Sequence, residues 1–189
     1  MDLNGSIFDA VNNLAGHVTL ADDVMKFAAQ YVVFVVFAMV AISWFVHTGS
    51  DQSRRLGVYT ACLTAALSLI GAIAIQHFYV HQRPFVGRDD VVLLIQHGKD
   101  TSFPSDHASV TFALATGIAL YRLRFGILLL ALASLVAFAR VYVGVHYPGD
   151  VLGGAALGVG IALVLRAARP AFVWLDQTIV MRVVPAPLR

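Results

Sequence analysis

Residues 56–82, LGVYTACLTAALSLIGAIAIQHFYVHQ, are 27 consecutive positions without Asp, Glu, Lys or Arg. A second uncharged run, residues 27–50, FAAQYVVFVVFAMVAISWFVHTGS, is 24 long. About twenty helical residues cover the roughly 30 Å of a bilayer's hydrocarbon core, so each run is long enough to cross once as a helix. The remainder agrees: of 189 residues, 59% are apolar or aromatic and 13% are charged, with a mean hydropathy of +0.77. A soluble domain carries charge on about a quarter of its residues. The composition therefore excludes a disordered chain, a nucleic-acid binder and an ordinary cytosolic enzyme. A net charge of +2 points to no polyanionic partner.

Working outward from these runs, the first span is expected over residues 26–46 and the second over 58–78. Three shorter apolar stretches follow, at 105–121, 125–142 and 148–168, each with polar or ionisable groups at both ends. The fold class expected is all-α: a polytopic membrane helix bundle of about five transmembrane helices. Residues 1–22 precede it as an amphipathic segment expected to lie in the membrane interface, because Ile7, Val11, Leu14 and Val18 recur at helical spacing with Asn12, Asn13 and His17 between them. Met1–Leu20 holds Asp2 and Asp9 but neither Lys nor Arg, so it lacks a signal peptide's basic start and is expected to belong to the mature protein. Asp22 or Asp23 is placed to cap the first span. Residues 79–104 form the longest loop. The tail, 171–189, is apolar but broken by Asp176, Arg182, Pro185 and Pro187, and is expected to lie in the interface, outside a membrane domain of residues 1–170. The lone Cys62, inside the second run, excludes a disulfide framework and a thiolate metal cluster.

Basic residues set the orientation. If the turn after the first span is cytoplasmic, that side holds Arg54, Arg55, Arg122, Arg124, Arg166 and Arg169, with Arg182 and Arg189 in the tail. The other side keeps Lys26, Arg83, Arg88, Lys99 and Arg140, which the positive-inside tendency does not supply and chemistry can. Arg122 lies 15 residues after His107, Arg140 lies 16 after Arg124, and Arg166 lies 16 after Asp150. At 1.5 Å per residue these separations are about 22–24 Å, so His107, Arg140 and Asp150 are expected at one depth near the outer interface. Ionisable groups at that depth are costly and mark a functional site by default.

Ser105 in Pro104-Ser105-Asp106-His107 is placed as an N-cap, turning a helix N-terminus, with its free amides, toward the outer side as an anion site. Pro148 suits the first turn of the last span, and Asp150 lies four residues beyond His146, on the same helical face. Arg83 and Arg140 supply forked donors matched to phosphate. Two histidines, a carboxylate, two arginines and a helix N-terminus make a phosphoryl-transfer site that requires no metal or other cofactor. Taken singly, each of these residues has a plain structural explanation; His47, His77, His81 and His97 are given one here. Gly154 and Gly158, at GxxxG spacing, read as a close helix-packing surface.

Arg83-Pro84, then Pro104-Ser105-Asp106-His107, then Arg140 with His146 and Asp150, resemble the three signature motifs of the type 2 phosphatidic acid phosphatase superfamily. Within it, the PSDH form of the second motif, the stretch from Ala139 to Val151 and the Ile7–Asn12 region look like the BcrC-type undecaprenyl pyrophosphate phosphatases. The resemblance implies a two-step hydrolysis in which His146 is the nucleophile, Asp150 orients it and His107 is the acid and then the base. It implies phosphate contacts from Arg83, Arg140, Ser105, Asp106, Gln76 and Lys99. Gln76 and Ala139 depart from the superfamily, which has lysine and serine there, and Lys99 or Arg88 is a candidate for the missing charge. The implied substrate is an isoprenoid diphosphate lipid, processed at the outer face of the bacterial cytoplasmic membrane in recycling the cell-wall carrier, a role tied to bacitracin resistance. An alternative is a phosphatidylglycerol phosphate or phosphatidic acid phosphatase of the same superfamily; a metal-dependent hydrolase ligated by His107, His146 and Asp150 is a further one. Oligomeric state is not legible.

Overall fold

The apolar runs become helices whose ends are set by identifiable residues. The computed structural model describes residues 3–46 and 50–180. These hold α1 (Leu3–Asn12), α2 (Thr19–Ser43), α3 (Asp51–Phe78), α4 (Pro84–Gly87), α5 (Asp106–Ala119), α6 (Leu123–Tyr142), α7 (Pro148–Ala167) and α8 (Arg169–Leu175), then a π-helical turn, Asp176–Val180, with no strand among the described residues. Ser50 and Ser105 cap α3 and α5 by accepting from Ser53 N and Ala108 N. Pro148 opens α7 as expected. Asp22 and Asp23 cap nothing, because α2 starts earlier, at Thr19. Asp22 instead accepts from Gly16 N and the Tyr142 hydroxyl, and Asp23 pairs with Lys26.

Helices α2, α3, α6 and α7 are long and apolar enough to cross a membrane, by length and composition. They leave a belt of large apolar side chains uncovered, among them Phe34, Ile42, Ile70, Ile73, Leu163 and Val164. The expected middle span, α5, has only 14 residues, about 21 Å. It can be short because α3, α6 and α7 surround it, leaving little lipid-facing surface to match.

The close approach of these helices depends on glycine. A Cβ on Gly154 would lie 2.6 Å from Ser105 O, and one on Gly158 would lie 2.4 Å from Ser109 O, so the GxxxG face of α7 packs directly on the backbone of α5. Gly117 of α5 meets the Ala61 backbone of α3, and Gly126 of α6 meets Ala119. Small hydroxyls in the same seams bond backwards along their own helices: Thr64 to Thr60 O, Ser109 to Ser105 O and Thr111 to His107 O.

The N-terminal segment is helical over residues 3–12, and most of the expected apolar stripe is left uncovered by the protein, free for the interface. Ile7, Leu14 and Val18 are exposed, whereas Gly5, Phe8 and Asn12 point inward. Asn12 explains the choice: its amide donates to Val92 O and Tyr142 O and its oxygen accepts from Val92 N, each at 2.9 Å. With Asn4 Oδ1 accepting from Gly149 N and Asp9 pairing with Arg88, α1 straps the 79–105 loop to the ends of α6 and α7.

At the opposite end, Arg54 and Arg55, expected only as orientation charges, are buried. Arg55 makes a two-pronged pair with buried Asp176 at 2.7 and 2.9 Å, which fastens the segment after α8 to α3. The tail is therefore docked at least to Asp176. Arg182, Pro185, Pro187 and Arg189, together with His47 and Asp2, fall outside the described residues.

Candidate active site

His146 lies in the connection between α6 and α7, and the backbone there explains its position. Gly144 has φ +85°, the left-handed conformation open to glycine, and reverses the chain so that Val145 N bonds back to Arg140 O. Pro148 then starts α7, with Tyr147 N donating to Asp150 Oδ2 at 2.7 Å. His146 is thereby buried between the end of α6 and the first turn of α7.

Two guanidiniums converge on one ring nitrogen. Arg83 Nη1 stands 3.1 Å and Arg140 Nη2 3.4 Å from His146 Nε2. Guanidinium groups only donate, so Nε2 presents its lone pair and the ring proton sits on Nδ1. Arg83 is fixed by Asp100 at 2.8 Å and by the carbonyls of Val145 and Thr101. Arg140 is 2% exposed, donates to Ala29 O at 3.4 Å, and has a buried Nε with no partner. Among the described residues it has no carboxylate within ion-pair distance. A buried cation without a counter-ion is costly, and an anion seated against His146 Nε2 would relieve it. Burial, with the two guanidiniums adding, holds the His146 imidazole well below its ordinary range against the opposing pull of Asp150, so the ring is neutral near pH 7.

The other ring nitrogen faces a hydroxyl. Ser102 Oγ is 3.2 Å from His146 Nδ1 and donates to Asp150 Oδ2 at 2.5 Å, whereas Nδ1 and that carboxylate oxygen are 3.7 Å apart. His81 Nδ1 is 3.0 Å from Asp150 Oδ1. His107, in the first turn of α5, lies within electrostatic reach of Arg140, His146, His97 and Arg83. Ser105 caps α5 beside them, its N donating to Asp150 O.

Of the remaining expected phosphate contacts, Asp106 lies within electrostatic reach of Arg83 and Arg140. Gln76 Nε2 donates to Pro104 O and to Asp106 Oδ1 at 2.8 Å, so these two residues hold each other and the start of α5. Lys99 is exposed and is not brought into the cluster; its neighbour Asp100 is the one turned onto Arg83. Arg88 is engaged by Asp9 and Asp90. No group of three or more His, Cys, Asp or Glu side chains among the described residues is arranged to hold a metal.

Ser102, His81 and His97 are absent from the sequence-derived set. His97 stacks edge-on against His146, ring centroids 6.3 Å apart, and burial beside Arg83 and Arg140 lowers its pKa. A signal existed for His81: it lies two residues before Arg83 in extended chain, where alternate side chains share a side. Ser102 carried none, since its position depends on the 100–102 segment lying along the 79–83 segment through Ser102 N to His81 O and His81 N to Thr101 Oγ1.

A membrane helix bundle that holds a neutral histidine between two buried arginines, beside a helix N-terminus, has the equipment of a phosphoryl-transfer hydrolase. Residues 56–174 match the model of the PAP2 superfamily. The chain is 33% identical over 157 residues to the undecaprenyl-diphosphatase BcrC of Bacillus subtilis, covering 83% of this chain and 79% of that one. It is 31% identical over 176 residues to a Bacillus licheniformis protein named bacitracin transport permease protein BcrC, covering 93% and 85%. Among solved structures, Aquifex aeolicus LpxE superposes with a TM-score of 0.73 at 26% identity, covering 87% of this chain and 94% of that one. The chain belongs to the PAP2 superfamily and is a multi-pass membrane hydrolase of that family.

Proposed function

We propose that this protein hydrolyses undecaprenyl diphosphate to undecaprenyl phosphate and inorganic phosphate, at the outer face of the bacterial cytoplasmic membrane, through a phosphohistidine on His146. The observation that carries this reading is the meeting of Arg83 and buried, carboxylate-free Arg140 at His146 Nε2. In the first step Nε2 attacks the terminal phosphorus, the bridging P–O bond breaks, and His107 protonates the departing lipid-phosphate oxygen. In the second, His107 takes a proton from water, which displaces the phosphoryl group from Nε2 and frees inorganic phosphate. The equatorial oxygens, where transition-state charge resides, are held by Arg83, Arg140 and the amides following Ser105.

The substrate follows from depth and relatives together. A phosphate site at headgroup level among apolar helices suits a lipid whose tail stays in the bilayer, and the curated Bacillus subtilis relative is named for this diphosphate. The outward orientation is supported by the six arginines grouped at the other ends of the spans.

The test is phosphate release by purified protein from undecaprenyl diphosphate, phosphatidylglycerol phosphate and phosphatidic acid, with His146→Ala as control. The proposal expects the isoprenoid diphosphate to have the highest kcat/KM and the control to be inactive. Preference for a glycerolipid phosphate would replace the substrate assignment.

A further inference from the structure

We propose that Ser102 is a positioning residue of this reaction, bridging the Asp150 carboxylate to the nucleophilic imidazole so that the carboxylate acts on His146 through its hydroxyl. The inference rests on the phosphohistidine reading of the site. Asp150 Oδ2 and His146 Nδ1 stand 3.7 Å apart, too far for a hydrogen bond. Ser102 Oγ fills the gap, 3.2 Å from Nδ1 and 2.5 Å from Oδ2. The direction of the chain is fixed at both ends. The carboxylate can only accept, so the hydroxyl gives its proton to Asp150. Its lone pair is then left for the Nδ1 proton, and the guanidiniums at Nε2 require the same tautomer.

As Nε2 attacks phosphorus the ring becomes cationic. Its Nδ1–H···Ser102 Oγ–H···Asp150 chain strengthens with the developing charge, without any proton having to leave Nδ1. Ser102 is fully buried, and Asp150 is anchored by His81 on its other oxygen and by Tyr147 N, so the bridge has little freedom. Groups that orient a metal-ligating histidine from behind contribute about 10–100-fold, and a bridge that orients a nucleophilic imidazole is expected to contribute on the same order.

The experiment compares kcat and KM for undecaprenyl diphosphate in the wild type, Ser102→Ala, Asp150→Asn and the double variant. Ser102→Ala is expected to lower kcat about 10–100-fold with KM within threefold, and the double variant to match Asp150→Asn within threefold, because both remove one chain. An isosteric pair separates chemistry from packing: Ser102→Thr keeps the hydroxyl and Ser102→Val does not. Threonine is expected to exceed valine at least tenfold in kcat. Equal rates for the pair, multiplicative losses in the double variant, or kcat for Ser102→Ala within threefold of wild type overturns the bridge. His146→Ala is run alongside. Its inactivity with a flat Ser102 series removes only the bridge, whereas turnover by His146→Ala removes the phosphohistidine reading itself.

Discussion

Substituting alanine along α7 separates packing from catalysis with a single methyl group. A Cβ on Gly154 would lie 2.6 Å from Ser105 O and 3.0 Å from both Ser109 N and Ser109 Oγ. Ordinary van der Waals contact begins at 3.4 Å. The atom it meets first is backbone, so α5 and α7 must separate locally by most of the difference, 3.4 − 2.6, about 0.8 Å. Overpacking of this kind costs about 1–3 kcal/mol, partly offset by the gain of up to about 1 kcal/mol for replacing glycine within a helix. Ser105 caps α5 and its N bonds to Asp150 O, so the displacement is delivered to the seam between His107 and His146. A misplacement approaching 1 Å can cost about 10²-fold in rate. Gly154→Ala should therefore lose about 1–2 kcal/mol of stability and 10–100-fold in kcat. Gly160→Ala, with nothing within 4 Å of its added Cβ, should be as stable as the wild type or more so and fully active. The assay is thermal unfolding in detergent together with steady-state phosphate release. Wild-type kcat in Gly154→Ala, or equal losses at both positions, would show that the contact between α5 and α7 does not set the site.

Three further outcomes are expected. Asn12→Ala removes three hydrogen bonds, one buried and two partly buried, of about 1 kcal/mol each, so it should cost about 3 kcal/mol and open the 79–105 loop to limited proteolysis; wild-type resistance would contradict the strap. Asp176→Ala strands buried Arg55 and should cost about 3–5 kcal/mol, while the paired change Arg55→Met with Asp176→Leu should restore most of it, as read by unfolding temperature. The folded pKa values of His146 and His97 lie below their ordinary 6.5, so near and below that pH the unfolded chain binds more protons than the folded one. Unfolding temperature should therefore fall on acidification from pH 7.5 to 5, and a His97→Gln, His146→Gln variant should flatten the dependence.

Much of the architecture is legible in the residues because lipid imposes a simple rule of length and polarity. Residues 27–43 of the first uncharged run lie in α2 and residues 56–78 of the second in α3, and the spans now called α6 and α7 fall within three residues of where hydropathy places them. Hydropathy says nothing of neighbours, however, so it could not show that α5 is a short central strut. Apolar spacing likewise singles out the exposed side of α1 at Ile7 but not its inward side, because Asn12 satisfies three backbone groups only once the loop and α6 are present. In the site, motif residues on helix ends could be ranked by depth before any fold was known. Ser102 and His81 lie in extended chain, where their contacts with Asp150 follow from how two loop segments lie together. Lys99 shows the converse, since proximity in sequence to Ser105 brings its neighbour Asp100 to Arg83 and leaves the lysine in solvent.

The central claim is that the phosphoryl group passes through His146. Rapid acid-free quenching of the purified enzyme with undecaprenyl diphosphate labelled at the terminal phosphate, followed by peptide mass spectrometry, tests it directly. The account predicts an acid-labile, base-stable phosphoryl group on His146 that decays as inorganic phosphate appears and is absent from His146→Ala. A phosphoryl group on His107 instead, or turnover by His146→Ala, would contradict it.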